Sequence, residues 1–456
     1  MKRSWFLFLA GMMLFCACQK KNEFLDKVPS TQLVLPTTLA NAQAILDNEM
    51  VMQETPVLGE VSADNFYLSY SFWQTRDIKE QNAYIWAKDI YEGIGQVEDW
   101  DDPYEQVFYA NVVLQAMPNI SADSSTIQQW RAIVGTALFY RAYAFYNLVQ
   151  VFAPAYDATT ASTDLGIPLR TNPDINKSYP RASVADTYTK ILSDLDSSVG
   201  YLPAAVQTAM LNRPSQPAAL AMLARVYLSM RNYPMALTYA TNCLQSYSTL
   251  INYNSITNPS YLPFTLSNAE TMYQSRLLSS TQVLLGLVYP EECIVDSALY
   301  RSYQPGDLRK TIYYAGDTNT PKLGWSYNGG IYCFSGLATD EVYLIKAECE
   351  ARSGDVNDAM TDLNTLMKNR WSDTVAFTPY TASNSDQALA EVLAERRKEL
   401  AFRGLRWTDL KRLNKEGANI IVTRNLNGQV YTLAPNSNDY ILPIPPDVQL
   451  PANPGR

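Results

Sequence analysis

RPSQPAALAMLARVYLSMRNYPMALTYATNCL (213–244) is the stretch whose reading decides the fold. Ala224, Tyr227, Ala236, Ala240 and Cys243 alternate small and large side chains at the spacing of two helices packed as a pair. EVYLIKAECEARSGDVNDAMTDLNTLM (341–367) is a second copy: Ala347 and Ala359 stand twelve residues apart, as Ala224 and Ala236 do, and Gly354-Asp355 supplies the turn. The physical reason for the pattern is close approach. Small residues at facing positions let two antiparallel backbones meet, while Tyr or Leu fills the gap between layers. Each pair then leaves an apolar face that only another pair can cover, so several pairs are expected.

The spacing is that of a tetratricopeptide unit, and further helices of the same body follow from it. SVADTYTKILSDLDSSVGYLP (183–203) places Val184, Tyr188, Ile191, Leu192, Leu195, Val199 and Leu202 on one face. Ser183 with Asp186 forms a capping-box start, and Pro203 stops the run. TALFYRAYAFYNLVQVF (136–152) and AEVLAERRKELAFRGLRWTDLKRL (390–413) read as helices too. Residues 56–102 and 251–337 lose the helical period and are rich in Tyr, Ser, Thr, Asn, Pro and Gly. GWSYNGGIYCFSG (324–336) reads as turns and short strands. The expected fold is mainly α: a tetratricopeptide-like scaffold of about four helix pairs with a loop-rich second lobe containing short strands. The expected divisions are a helical region at 37–250, an irregular ligand lobe at 251–337, C-terminal helical repeats at 338–414 and an irregular end at 415–456.

The N-terminus sets the address. Lys2 and Arg3 precede an apolar or small run from Trp5 to Ala17. Thirteen residues reach about 20 Å, short of the roughly 30 Å hydrocarbon core, so the run reads as an export signal rather than a span. Leu14-Phe15-Cys16-Ala17-Cys18 resembles a bacterial lipobox. Cleavage after Ala17 satisfies the small-residue requirement, which makes 1–17 the signal peptide, Cys18 the acylated residue and 18–36 a tether. With a formal charge of -9, the chain lacks the basic footprint that nucleic acid requires. It has no histidine, which removes Ser-His and Cys-His dyads, imidazole metal sites and a histidine pH switch together. Cys243, Cys293, Cys333 and Cys349 form no CxxC pair; buried thiols are the main expectation, with a disulfide among them the alternative.

Glu395 and Glu399 lie i, i+4 on a helix, close enough for an acid/base pair. Interleaved arginines favour the other reading, a structural ion-pair network that keeps both ionised. DWDDPYEQ (99–106) does not have the spacing of a calcium loop and reads as a helix start with core aromatics. No metal ligand set and no cofactor motif is expected. The remaining signal is aromatic: 31 Tyr against 14 Phe, with eight Trp. Tyr140, Tyr143, Tyr146, Tyr188, Tyr227 and Tyr343 are assigned to the helical layers. A ligand platform must then come from irregular segments: Tyr70 and Trp73 in YLSYSFWQTRD (67–77), Trp325 and Tyr327 in GWSYNGG (324–330), and Tyr300 and Arg309 around RSYQPGDLR (301–309). Flat rings with polar rims suit the C–H faces and hydroxyls of a pyranose.

Six blocks carry a resemblance: EFLDKVP (23–29), RAYAFYNLVQVF (141–152), GIPLRT (166–171), PRASVADTYTKILSDL (180–195), ERRKELAFRGLRWTDLKR (395–412) and YILPIPPDVQLPANPG (440–455). Together with the lipobox they resemble the SusD/RagB family of nutrient-binding outer-membrane lipoproteins. The resemblance implies a helical lobe of four tetratricopeptide-like units and a mixed loop lobe. It also implies a non-enzymatic role, in which the lipoprotein faces the exterior of the cell and caps a SusC-like TonB-dependent transporter. The ligand is then an oligosaccharide; the alternative is a peptide receptor or a protein-interaction scaffold at the same location. Arg403 stands where many relatives carry Glu, which alters the charge network the family implies.

Overall fold

Short polar side chains start the helices where the sequence places them. Ser183 Oγ accepts from Asp186 N at 2.9 Å and opens the helix Val184–Tyr201. Asn232 caps Tyr233–Ser246 with Pro234 in its first turn, and Asn384 Oδ1 accepts from Gln387 N at 2.9 Å to open Ser385–Glu399. Thr339–Ser353 ends on Gly354, whose φ of 97° is open to glycine and strained for other residues. The computed structural model describes residues 35–259, 263–284, 293–316, 322–323, 326–448 and 450–451. The chain divides at Pro36, and the fold below is that of the unit from Thr37 onward.

The longest helices are α1 (Glu98–Ala116), α2 (Ile127–Phe152), α3 (Val184–Tyr201), α4 (Gln216–Ser229), α5 (Tyr233–Ser246), α6 (Thr339–Ser353), α7 (Val356–Lys368), α8 (Ser385–Glu399) and α9 (Arg406–Lys415). From α1 to α7 each packs on the next in chain order, and α6 also packs on α8. Ala224, Ala236, Ala240 and Cys243 are buried between α4 and α5, as Ala347 and Ala359 are between α6 and α7. Leu344, Ala351, Leu363, Leu366, Met367, Ala388 and Val392 complete the α6–α7–α8 core. The mainly α, repeat-like architecture is therefore present. Two tyrosines depart from their assigned layers: Tyr227 and Tyr343 are only half-buried, and Tyr227 stacks on Tyr239 at 5.4 Å. Among the described residues, no helix is long and apolar enough to cross a membrane.

The second lobe is assembled from segments far apart in sequence. Phe66–Leu68 pairs antiparallel with Cys293–Val295, Glu54–Thr55 runs parallel to Arg276–Leu277, and Thr271–Tyr273 pairs with Leu337–Ala338. Short strands thus tie Glu54–Thr55 and Phe66–Leu68 to Arg276–Leu277 and Cys293–Val295. The C-terminal segment adds a hairpin, Val422–Leu426 with Gln429–Leu433, turned by Asn427 and Gly428, both at positive φ. Its last stretch locks back onto the scaffold, with Leu442 N donating to Val151 O at 3.0 Å and Tyr91 Oη to Pro443 O at 2.8 Å. Cys243, Cys293, Cys333 and Cys349 are buried free thiols, the burial pushing each thiol pKa upward.

Candidate ligand-binding surface

A buried ion network holds the loop lobe on the helices and accounts for the charged cluster of the sequence. Arg309, fully buried, donates through Nε and Nη2 to Asp307 (2.9 and 2.6 Å), through Nη2 to Glu395 (2.6 Å) and through Nη1 to Glu399 (2.9 Å). Arg370 joins Glu399 (2.8 Å) to Glu270 (2.9 Å), and Glu270 accepts from Tyr327 Oη. Arg403 makes a bidentate pair with Asp340 (3.0 and 2.6 Å). Burial opposes ionisation of Glu399, but the Arg370, Arg309 and Arg403 guanidiniums override it and hold its pKa near 2. Glu395 is likewise held below its ordinary value by Arg309 and Lys398, against its burial. Both carboxylates are acceptors locked in ion pairs, and neither is a proton donor. DWDDPYEQ lies in the first two turns of α1, with Asp99 and Asp101 in the first. Asp99 Oδ1 there accepts from Val57 N (2.6 Å) and Leu58 N (2.8 Å), while Trp100 and Tyr104 are buried 4.9 Å apart. Among the described residues no group of acids and thiols is placed to hold a metal ion.

Exposed aromatic chemistry is concentrated instead at residues 67–76. The sequence treats 67–77 as loop; the structure makes Tyr70–Gln74 a short helix, because Ser69 Oγ accepts from Phe72 N at 3.2 Å and caps it. One turn brings positions 70 and 73 together, and the two rings stack at 5.8 Å with 26° between planes. Tyr70 is 39% exposed and Trp73 half-buried, its indole N–H held by Gln81 O at 2.9 Å. Arg76 lies over the Phe72 ring at 3.8 Å and reaches Gln282 Oε1 at 3.4 Å. Just upstream, Tyr67 points outward from the strand Phe66–Leu68, whose flanking residues are buried. Four aromatic side chains and a guanidinium therefore stand exposed or half-exposed within ten residues, on a segment anchored by strand pairing and a helix cap.

The other expected site residues are dispersed. Tyr300 is half-buried on the helix Ser297–Arg301, which follows the strand paired with Phe66–Leu68; it packs edge-on against Tyr314 at 5.7 Å, with Lys310 Nζ 4.7 Å from its ring centre. Arg309 is no fork for a ligand here, since three carboxylates occupy it in the core. Tyr327 is not a platform either. Its ring lies against Phe264 (4.9 Å) and Phe334 (5.4 Å), under the Arg403 guanidinium at 3.6 Å. Flanking glycines did not leave it uncovered, because residues distant in sequence close over it. Trp325 and Cys18 lie outside the described residues. Tyr67, Phe72, Arg76 and Gln282 were missed. The outward position of Tyr67 was legible from the alternation Phe-Tyr-Leu; the approach of Gln282 to Arg76 had no sequence signal.

Two family models match the chain: one described as "Starch-binding associating with outer membrane", over residues 23–228, and one described as "SusD family", over residues 339–449. Solved structures share the fold at low identity. A SusD superfamily protein from Bacteroides fragilis is 18% identical with a TM-score of 0.72, covering 91% of this chain and 97% of its own. One from Bacteroides thetaiotaomicron is 20% identical with a TM-score of 0.71, covering 90% and 96%. A laminarin-binding SusD-like protein is 19% identical with a TM-score of 0.60, covering 83% and 91%. None of the curated proteins compared matches the chain.

Proposed function

Because the chain belongs to the SusD/RagB family, we propose that it is a non-catalytic outer-membrane lipoprotein that captures an oligosaccharide and delivers it to a SusC-like TonB-dependent transporter. The observation that carries the reading is the stacked Tyr70–Trp73 pair on an anchored surface helix, with Tyr67, Arg76 and Gln282 around it. A pyranose offers an apolar face to rings and hydroxyls to a polar rim, and this surface supplies both. The matching family is described as associating with the outer membrane, which supports that address; in this reading acylation of Cys18 anchors the chain without a spanning helix, and the lipoprotein faces the exterior. The locked Glu395 and Glu399 support binding without hydrolysis.

The test is titration calorimetry of the mature chain (18–456) against neutral oligosaccharides, free monosaccharides and mixed peptides. We expect an oligosaccharide to bind and the peptides not to. Tyr70→Ala with Trp73→Ala should weaken binding by about tenfold to a hundredfold, at roughly 1 kcal/mol per stacked ring, with the urea midpoint little changed. Peptide binding in place of glycan binding sinks the proposal, as does a double variant that binds like wild type. Fatty-acid labelling in cells should succeed for wild type and fail for Cys18→Ala. The tagged lipoprotein should co-purify from solubilised outer membranes with a TonB-dependent barrel, and its recovery alone counts against the delivery step.

A further inference from the structure

A cleft of about 240 Å³ opens beside the parallel strands Glu54–Thr55 and Arg276–Leu277, walled by Gln53, Met210, Gln274, Arg276, Asn328 and Tyr332. Its wall contains an unused acceptor. Gln274 is 6% exposed and pinned by its backbone N–H to Leu211 O (2.8 Å), yet its Oε1 has no partner among the described residues. Leaving a buried acceptor unmatched costs about 1–3 kcal/mol, so such a group marks a place where a donor from outside the chain fits. Beside it Arg276 is fixed from behind, its Nε on Glu54 Oε1 at 3.0 Å and its guanidinium 5.3 Å from the Tyr332 ring centre. The side chain stays 26% exposed. Asn328 is set in a tight turn: its Oδ1 accepts from Gly330 N at 3.1 Å, and Gly329 sits at φ 72° against the backbone of Phe264 where a Cβ has no room. A buried acceptor, a rigid donor fork and a half-exposed ring thus converge on one small space.

We infer that this cleft is a second subsite, which takes one neutral pyranose unit of the oligosaccharide held by the Tyr70–Trp73 platform; the inference rests on the glycan reading above. Size selects a single ring, since the cleft is smaller than the roughly 300–1,000 Å³ of sites for drug-sized ligands. A sugar hydroxyl donates to Gln274 Oε1, another accepts from Arg276, and the C–H face lies on Tyr332. Charge selects a neutral sugar. Arg276 is already paired with Glu54, and Glu49 also lines the cleft, so a uronate or sulfate meets no uncompensated cation. Reach joins the two places. Arg276 and Gln282 are six residues apart on one segment, at most about 20 Å when extended, and Gln282 touches Arg76 of the platform.

The test compares binding of the mature chain to neutral oligosaccharides of increasing length and to uronate oligomers of matched length, for wild type, Trp73→Ala, Tyr332→Ala and Gln274→Leu. Trp73→Ala should weaken every chain length. Tyr332→Ala and Gln274→Leu should weaken the longer chains about tenfold and leave the shortest bound chain unchanged, and uronate oligomers should bind more weakly than neutral ones. Should Gln274→Leu fail to fold, the half-exposed Tyr332 carries the comparison. If Trp73→Ala weakens binding while both cleft variants match wild type at every length, the second subsite is overturned and the platform stands. If uronate oligomers bind as tightly as neutral ones, the neutral assignment is overturned. If wild type binds no glycan, the reading beneath both fails.

Discussion

Replacing Arg309 with Met separates a structural arginine from a ligand-facing one. The side chain is wholly buried and contacts Asp307, Glu395 and Glu399 at 2.6–2.9 Å. Methionine keeps much of the volume and removes the charge. Glu399 still has Arg370 at 2.8 Å, and Glu395 still has Lys398 and the Tyr380 hydroxyl at 2.8 Å. Asp307 is the stranded partner: among the described residues, what remains to its carboxylate is the backbone N–H of residue 309 at 3.1 Å. Breaking a buried pair by removing one partner costs about 3–5 kcal/mol, because the other charge stays buried. Urea unfolding followed by two probes should show a loss of that size with an unchanged slope. Adding Asp307→Asn should recover a large part of it, since the stranded charge is then gone. Glycan affinity of the folded variant should match wild type. The reasoning is refuted if Arg309→Met stays within about 1 kcal/mol of wild type, or if it loses ligand binding with its stability intact.

Overpacking tests the repeat reading: Ala224→Leu and Ala347→Leu, each at a fully buried alanine, should each cost about 1–3 kcal/mol, and unchanged melting temperatures in both would count against it. Acid tests the ion network. The Arg396 and Arg412 guanidiniums override burial to hold Asp409 near pKa 2, and Glu399 is held near 2 as well. Folded values below the unfolded ones mean that this stabilisation is complete above about pH 4.5 and drains away as pH falls toward 2. Urea midpoints should therefore drop steeply across that window, and a midpoint that is flat from pH 5 to pH 2.5 contradicts the assignment.

Much of the scaffold was legible because its information is local. Small/large spacing at 213–244 and 341–367, the Ser183–Asp186 cap and the Gly354 turn each act within a few residues, where chain geometry and side-chain size settle the outcome. The absence of histidine is equally a property of the string. The arginines around Glu395 and Glu399 also announced an ion network, but its members had no such signal: Arg309 and Arg370 come from elsewhere in the chain, while Arg396 and Arg397 pair with Asp409, Asp64 and Asp296. The candidate surface was legible only in part. Tyr70 and Trp73 stood out by their composition, but the helix that stacks them depends on the Ser69 cap. Tyr327 and Arg309 looked equally accessible, but Phe264, Phe334 and Arg403 close over the first and Glu399 pairs with the second, and all of these except Phe334 are distant in sequence. The cleft around Gln274 had no sequence signal at all, because its walls come from residues 49–53, 208–212, 266–276 and 328–332. Burial is a property of the whole packed chain. Where the lobe is stitched from short strands distant in sequence, only the tertiary structure decides which ring is core and which is free to meet a ligand.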